Sequence, residues 1–181
     1  PILTRFAIER RWFPEVTRSD AAYGDLVLDS CRLPLRLLSG DQSTAAFAHG
    51  ELRSDAAYLN VGTGAFVFRV ADAVPPGSRL LRSVVHWADA PQYVVEGTVN
   101  GAGSALAAFA QAHGIADIGE ALDSAWHEDG AGATIYLNGI GGLGSPDWRS
   151  DFPSRFVGEG GAGQRLVAVA ESILFLVERN L

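Results

Sequence analysis

The sequence predicts an α/β fold in which antiparallel strands come first and helices follow. Short β-rich runs separated by glycine-containing turns fill the middle of the chain, and segments with helical spacing come after them. The last segment, residues 164–180, places its apolar side chains most regularly on one face. At 181 residues the chain is long enough for one domain, or for one domain and part of another.

Composition argues against several classes of protein. The 14 basic and 21 acidic residues give a net charge of -7, which opposes binding to nucleic acid. No apolar run approaches the roughly 18 residues of a membrane span, so we expect no membrane protein. The four histidines are scattered without a second ligand at metal spacing, so no zinc site is expected.

Cysteine occurs once, at Cys31, so the chain cannot form an internal disulfide. Single cysteines of this kind are typical of a reducing compartment such as the cytoplasm. Because free cysteine usually behaves as a small apolar side chain, we expect Cys31 to be buried or half-buried.

The first stretch, residues 1–32, shows no sustained helical or strand period and is interpreted as a connecting region. Residues 35–38 are predicted to form a short strand. Gly40 and Asp41 then form a polar turn before a short helix over residues 44–49. A strand, a polar turn and a helix in this order commonly present a functional site.

Four further strands are predicted in the middle of the chain. Residues 58–61 and 65–70 are β-rich and are separated only by Gly62, Thr63 and Gly64, which indicates a tight hairpin. Residues 80–87 and 92–96 add two more strands. The simple inference is an antiparallel meander, in which each strand pairs with the next along the chain.

The second half is predicted to be mainly helical. Residues 102–112 and 118–126 have apolar side chains at helical spacing. Residues 134–137 form a strand that leads into a glycine-rich loop at 138–144, and the irregular chain continues from there to the final helix at 164–180.

Two glycine-containing motifs and one carboxylate could carry chemistry. Thr63 between two glycines could hold a terminal phosphate through its hydroxyl and backbone amides, and the amide of Gly103 opens a helix. Asp41 could accept a proton from a hydroxyl nucleophile. The alternatives are that the glycines only permit a turn and that Asp41 only caps a helix.

Taken in order, the motifs resemble the FGGY carbohydrate kinase family, most closely its glycerol kinase branch. The resemblance covers nearly the whole chain, and its collinearity is more specific than any single motif. Six segments carry it: Trp12-Phe13-Pro14-Glu15-Val16, Gly40-Asp41-Gln42, Asn60-Val61-Gly62-Thr63-Gly64-Ala65-Phe66, Glu96-Gly97 with Ala102-Gly103-Ser104, Gly142-Leu143-Gly144-Ser145-Pro146-Asp147-Trp148, and Ala170-Glu171-Ser172-Ile173-Leu174-Phe175.

The resemblance implies an actin-like ATPase fold, in which ribonuclease H-like domains with a mixed sheet flanked by helices close on a cleft. Residues 1–32 would be the end of the N-terminal domain and the crossover segment, and residues 33–181 the first part of the C-terminal domain. The chain would then be a fragment of a two-domain kinase, inactive by itself. Kinases of this family often pair, so a homodimer is compatible with the resemblance.

The implied activity is transfer of a phosphoryl group from ATP, with Mg²⁺, to a hydroxyl of a sugar or polyol. Asp41 would be the general base, and Gln42 and Phe66 would contact the substrate; no residue is predicted to bind metal. Four residues would contact the nucleotide: Gly62, Thr63, Gly64 and Gly103.

Departures from the family pattern leave the substrate and some alternatives open. Ala107 stands where glycerol kinases carry a glutamine, and residues 149–155 replace the usual segment after Trp148. A catalytically weak relative that binds sugar or nucleotide for regulation is the main alternative. A chaperone or filament protein of the actin-like superfamily and a structural module without a ligand are the others.

Overall fold

The computed structural model describes residues 2–128 and 133–181. The chain begins with a one-turn helix, α1 (Ile2–Arg5), and a 3₁₀ turn at Arg10–Trp12. Strands β1 (Asp25–Leu28) and β2 (Cys31–Pro34) then pair antiparallel as a hairpin. The predicted boundary between residues 32 and 33 lies inside β2, so this hairpin crosses it.

Two predictions for this region are wrong. Residues 35–38 are not a strand, and the strands precede them in a segment that was interpreted as a connection. All eight residues of its two strands are exposed, so the hairpin has no alternation of buried and exposed side chains to detect. Cys31 is also exposed rather than buried, because neither face of the hairpin packs on a core.

The central sheet contains β3 (Ala57–Val61), β4 (Ala65–Val70), β5 (Leu81–Trp87) and β6 (Pro91–Val99). The predicted β3–β4 hairpin is confirmed, with Asn60 opposite Phe66. All pairings among the described strands are antiparallel.

The predicted meander is wrong, because the order of strands is β3-β4-β6-β5. The connection after β4 carries the chain past one position to the outer edge, and β6 returns between β4 and β5. Burial explains this order. Val94, Val95, Gly97 and Val99 of β6 are all buried, as expected of an interior strand covered on both faces.

The predicted helices are confirmed as α3 (Gly103–His113), α4 (Ile118–Glu128) and α5 (Ala162–Glu178). A short strand, β7 (Ile135–Leu137), lies where one was predicted. Its partner β8 (Arg155–Val157) was missed, since three residues in an irregular stretch show no period of their own.

The two faces of the central sheet are covered by different elements. Ala65 and Val67 of β4 point towards α5 and pack with Ile173 and Val177. Phe68 lies on the opposite face, packed against a second apolar cluster. That cluster is formed by Ala46, Val85 and Val94. The short helix α2 (Asp41–Ala45), which starts three residues earlier than predicted, lies on this second side of the sheet.

The α/β fold class is confirmed, with an antiparallel sheet flanked by helices. Within residues 2–128 and 133–181, no helix combines the length and the hydropathy of a membrane span.

Candidate active site

Asp41 is the first residue of α2, and its side chain is exposed. The N-cap of this helix is Gly40, so Asp41 does not occupy the capping position that local sequence suggested as an alternative. One carboxylate oxygen, Oδ1, accepts a hydrogen bond from the backbone amide of Gln42 at 2.8 Å. Among the described residues, Oδ2 has no hydrogen-bond partner, which leaves an acceptor facing solvent.

Gln42 and Phe66, the two predicted substrate residues, line one pocket of about 150 Å³. The pocket lies between α2 and the face of the sheet formed by β4, β5 and β6. Gln42 is held by Asn60 of β3, whose Nδ2 donates to Gln42 Oε1 at 2.8 Å. The structure therefore brings Gln42 and Phe66 to one pocket, although they are 24 positions apart in the sequence.

The floor of this pocket is apolar and part of its wall is polar. Phe66 and Phe68 come from β4, Val94 from β6, and Ser83 and Glu96 from β5 and β6. Ser83 Oγ donates to Glu96 Oε1 at 3.0 Å. An aromatic surface edged by hydrogen-bonding groups suits a ligand that carries several hydroxyls.

Sequence reasoning missed Ser83 and treated Glu96 only as part of a turn motif. The observed strand order and register bring both to this face, and the predicted meander could not have done so because it does not pair β4 with β6. Glu96 lies opposite Phe68 on β6, and Ser83 lies opposite Val94 on β5. Side chains opposite one another in an antiparallel pair share a face of the sheet.

The turn Gly62–Gly64 joins β3 to β4 and contacts the start of α3. The Gly62 carbonyl accepts from the Gly103 amide at 2.9 Å, and the Thr63 carbonyl accepts from the Ser104 amide at 3.0 Å. The predicted nucleotide residues are thus neighbours. The Gly103 amide, however, already has a protein acceptor and does not point freely outward as its sequence position suggested.

Two of these glycines are required by close packing rather than by a positive φ. A Cβ at Gly103 would lie 2.5 Å from the Gly62 carbonyl oxygen, and a Cβ at Gly64 would lie 2.7 Å from the Val99 carbonyl oxygen. Both distances are far below van der Waals contact. The glycines therefore allow the turn to approach α3 and β6, while the exposed Thr63 hydroxyl has no hydrogen-bond partner among the described residues.

The turn lies close to the pocket along the sheet. Asn60 and Phe66 are register partners, and each is two residues from the Gly62–Gly64 turn. Two residues of a strand span about 7 Å. The side chain that holds Gln42 and the aromatic floor of the pocket are therefore at the same end of the β3–β4 hairpin as Thr63.

The glycine-rich loop after β7 is packed against the segment that precedes α3. Asn138 is buried, and its Nδ2 donates to the Gly101 carbonyl at 2.7 Å. Asn100 Nδ2 donates to the Gly141 carbonyl at 2.9 Å. These two amide side chains fix the loop to the end of the central sheet.

The last part of this loop is held from two sides. Trp148 has a φ of 53°, a strained value for a large side chain. Its Nε1 donates to the Arg79 carbonyl at 2.7 Å, and Asp147 forms an ion pair with Arg179 at the end of α5 at 2.9 Å. The loop thus connects the β4–β5 segment to the last helix.

Carboxylates with a displaced pKa lie outside the pocket. The pKa of Asp20 and that of Asp55 are both lowered, first of all by side-chain hydrogen bonds from Arg18 and Arg53. In the part of the chain that the structure describes, no three histidine, cysteine or acidic side chains cluster as a metal site.

No protein-family model matches the chain. Among curated proteins it is similar to the glycerol kinase of Rippkaea orientalis, with 30% identity over 189 residues, 98% of this chain and 37% of the relative. Among solved structures it is similar to Plasmodium falciparum glycerol kinase with ADP, with a TM-score of 0.82, 22% identity, and coverage of 98% and 38%. A xylulose kinase from Brucella ovis gives a TM-score of 0.80 at 18% identity, with coverage of 98% and 39%.

These similarities first define a class: the fold is that of a segment of carbohydrate kinases with an actin-like ATPase fold, as predicted. More particularly, the chain is a homologue of glycerol kinases, and the predicted resemblance to FGGY kinases is confirmed. The chain spans 37% of the length of the Rippkaea relative and 34% of the Synechocystis glycerol kinase.

Proposed function

We propose that the chain forms part of an ATP-dependent kinase that phosphorylates a hydroxyl of a sugar or polyol. The observation that carries the proposal is the arrangement at one end of the β3–β4 hairpin. The pocket lined by Gln42 and Phe66 lies beside the turn that presents Thr63. A hydroxylated ligand and a terminal phosphate need to be adjacent for in-line transfer.

Asp41 is proposed as the general base. It directly precedes Gln42, which lines the pocket, and its Oδ2 has no partner among the described residues. A carboxylate in this position can accept the proton of the attacking hydroxyl as the oxygen bonds to phosphorus. The hydrogen bond from the Gln42 amide to Oδ1 fixes the orientation of the carboxylate.

The Gly62–Gly64 turn is proposed to hold the terminal phosphate of ATP. Its fit to phosphate rests on the exposed hydroxyl of Thr63 and on the absence of side chains at both neighbours. The similar Plasmodium structure contains ADP, which supports a nucleotide on this fold. Gly103 contributes by allowing the turn to approach α3. Mg²⁺, when bound with the nucleotide, would neutralise phosphate charge.

We also propose a cytoplasmic location, a domain division and a homodimer for this enzyme. The single exposed thiol of Cys31 is compatible with the reducing cytoplasm, where ATP is abundant. The division into an N-terminal connection, residues 1–32, and a C-terminal domain from residue 33 stays a proposal, as does pairing into a homodimer.

The test uses the gene product that contains this chain in full. ATP consumption is measured with glycerol, xylulose, ribulose, erythritol and gluconate. Asp41→Asn is expected to lower kcat on the preferred substrate by at least about 100-fold, since general-base catalysis contributes that much or more. Asp72→Asn is the matched control, because Asp72 is exposed in the β4–β5 connection, outside the residues that line the pocket.

The outcomes distinguish an active kinase from a regulatory relative, and they test the role of Asp41. Turnover that falls in Asp41→Asn but not in Asp72→Asn supports the kinase and names its substrate. If kcat is equal in the wild type and in Asp41→Asn, the proposal that Asp41 is the general base is wrong. Ligand binding without turnover on any substrate would instead support the regulatory relative.

A further inference from the structure

We propose that Glu96, held by Ser83, makes this pocket select neutral polyhydroxylated ligands and reject sugar acids. The inference rests on the proposed function, because it names the substrate class of the same pocket. Neither residue was among the predicted site residues. Glu96 would contact a ligand hydroxyl directly, and Ser83 would position the carboxylate.

Geometry places the carboxylate at the pocket wall. Glu96 and Ser83 are half-buried, and both line the pocket with Gln42 and Phe66. Ser83 Oγ donates to Oε1 of Glu96 at 3.0 Å. The other oxygen, Oε2, has no hydrogen-bond partner among the described residues and is therefore available to accept from a ligand.

Gln42 supplies the complementary group. Its Oε1 accepts from Asn60 at 2.8 Å, so its Nε2 amide is the part left to donate. The pocket therefore offers a donor from Gln42 and an acceptor from Glu96 above the rings of Phe66 and Phe68. A ligand with two hydroxyls can accept from the first and donate to the second.

Charge gives the selectivity. Among the described residues that line the pocket, one is acidic and none is basic. A carboxylate on the ligand could not donate to Glu96 and would be repelled by it in a half-buried site, where screening by water is reduced. A neutral hydroxyl carries no such penalty.

A purely structural role for Glu96 would predict a different result. Its cross-strand partners are Leu81 and Phe68, and the hydrogen bond from Ser83 could simply satisfy a half-buried carboxylate. Glu96→Gln keeps the shape and the acceptor for Ser83 but removes the charge. A structural role would then leave ligand preference unchanged, whereas a selective role would alter it.

The experiment compares wild type, Glu96→Gln, Ser83→Ala and the control Glu51→Gln in the full gene product. Glu51 is exposed and lies outside the pocket, so its substitution removes the same charge elsewhere. Steady-state kinetics with the preferred neutral polyol and with gluconate give kcat/KM for each. Binding of both ligands is measured separately by calorimetry in the absence of ATP.

We expect Glu96→Gln to lower kcat/KM for the neutral polyol about tenfold, mainly through a higher KM, because the ligand loses one charge-assisted hydrogen bond. The ratio of gluconate to polyol kcat/KM should rise at least about tenfold. Ser83→Ala should lower polyol binding to a smaller extent, and Glu51→Gln should match the wild type.

The inference is overturned if Glu96→Gln leaves the ratio unchanged, or if the wild type prefers gluconate. Calorimetry separates this failure from that of the proposed function. Polyol binding that weakens in Glu96→Gln, without any phosphoryl transfer, would support the inference while the kinase proposal fails. Binding of gluconate but of no polyol in the wild type would overturn the inference alone, and the absence of binding of either ligand would overturn both.

Discussion

The β1–β2 hairpin and the central β3–β6 sheet are both antiparallel, but they differ in what covers them. Every residue of the hairpin is exposed, including Val27 at 54%. In the central sheet, Val67 is 2% exposed because β4 lies beneath α5. The same strand geometry therefore depends on backbone pairing and an exposed ion pair between Asp25 and Arg32 in one region, and on a packed core in the other.

This difference shows where the stability of the chain resides. Apolar burial is the largest favourable contribution to folding, and each buried methylene contributes about 0.8 kcal/mol. In the hairpin, Leu26, Val27, Leu28 and Leu33 keep 43–55% of their surface exposed, and hydrogen bonds attach the segment that precedes the hairpin to β5. Ser19 provides two of them, from its amide to the Trp87 carbonyl at 2.7 Å and from the Trp87 amide to its Oγ at 3.1 Å.

The same substitution, Val→Ala, should change the free energy of unfolding much more in the central sheet than in the hairpin. Val67→Ala should lower the free energy of unfolding of the chain by about 2 kcal/mol, because it removes two buried methyl groups and leaves a cavity. Val27→Ala should change it by less than about 0.5 kcal/mol. Urea denaturation measures both, and equal losses would mean that the hairpin is also packed in solution.

Within the packed region, the close contact between Gly103 and the Gly62 carbonyl should also contribute to stability. Gly103→Ala should destabilise the chain by roughly 1–3 kcal/mol, because its Cβ would overlap the Gly62 carbonyl. Gly62→Ala is the matched variant in the same contact. The nearest atom to its Cβ is the Gly64 carbonyl oxygen at 3.9 Å, so stability should stay within about 0.5 kcal/mol. Similar melting temperatures for the two variants would show that the turn does not press on α3.

The smallest effect concerns charge in the exposed region. The hydrogen bond from Arg18 lowers the pKa of Asp20 below its ordinary value of 3.8. Because the folded-state pKa is lower than the unfolded one, this pair stabilises the fold above the unfolded pKa. That contribution is lost as the pH falls through the folded pKa.

Arg18→Gln should therefore raise the pKa of Asp20, as followed by NMR titration of its carboxyl carbon. Asp89→Asn removes the second, longer partner of Arg18, at 3.4 Å, and should leave the pKa of Asp20 lowered. An unchanged Asp20 titration in Arg18→Gln would show that the pair does not form.

The contrast between the regions also explains which elements the sequence could predict. The helices α3, α4 and α5 and the strands β3–β6 have a buried or half-buried face, so burial imposes a period on their side chains. The hairpin has no such face, and β8 is defined by pairing with β7, whose paired residues are 18 or more positions away in the sequence. The leucine-rich segment 35–38 has the composition of a strand but forms none, because composition alone does not show whether a segment has a partner.

Prediction of the site followed the same division. Local sequence predicts Asp41 and the Gly62–Gly64 turn as site residues, and the resemblance to a family adds Gln42 and Phe66, because each belongs to a short motif. Glu96 and Ser83 contribute one side chain each from separate strands. Such residues are recognised only once the register of β5 and β6 is known. The assigned roles of all these residues stay predictions until the kinetics are measured.

The contact between the Gly62–Gly64 turn and α3 has a mechanical consequence. Backbone hydrogen bonds from Ala102, Gly103 and Ser104 attach the turn to the first residues of the helix. A rotation or shift of α3 would therefore also move the turn and the Thr63 hydroxyl. The position of Thr63 relative to the pocket is therefore tied to the position of α3, an 11-residue helix that ends at His113.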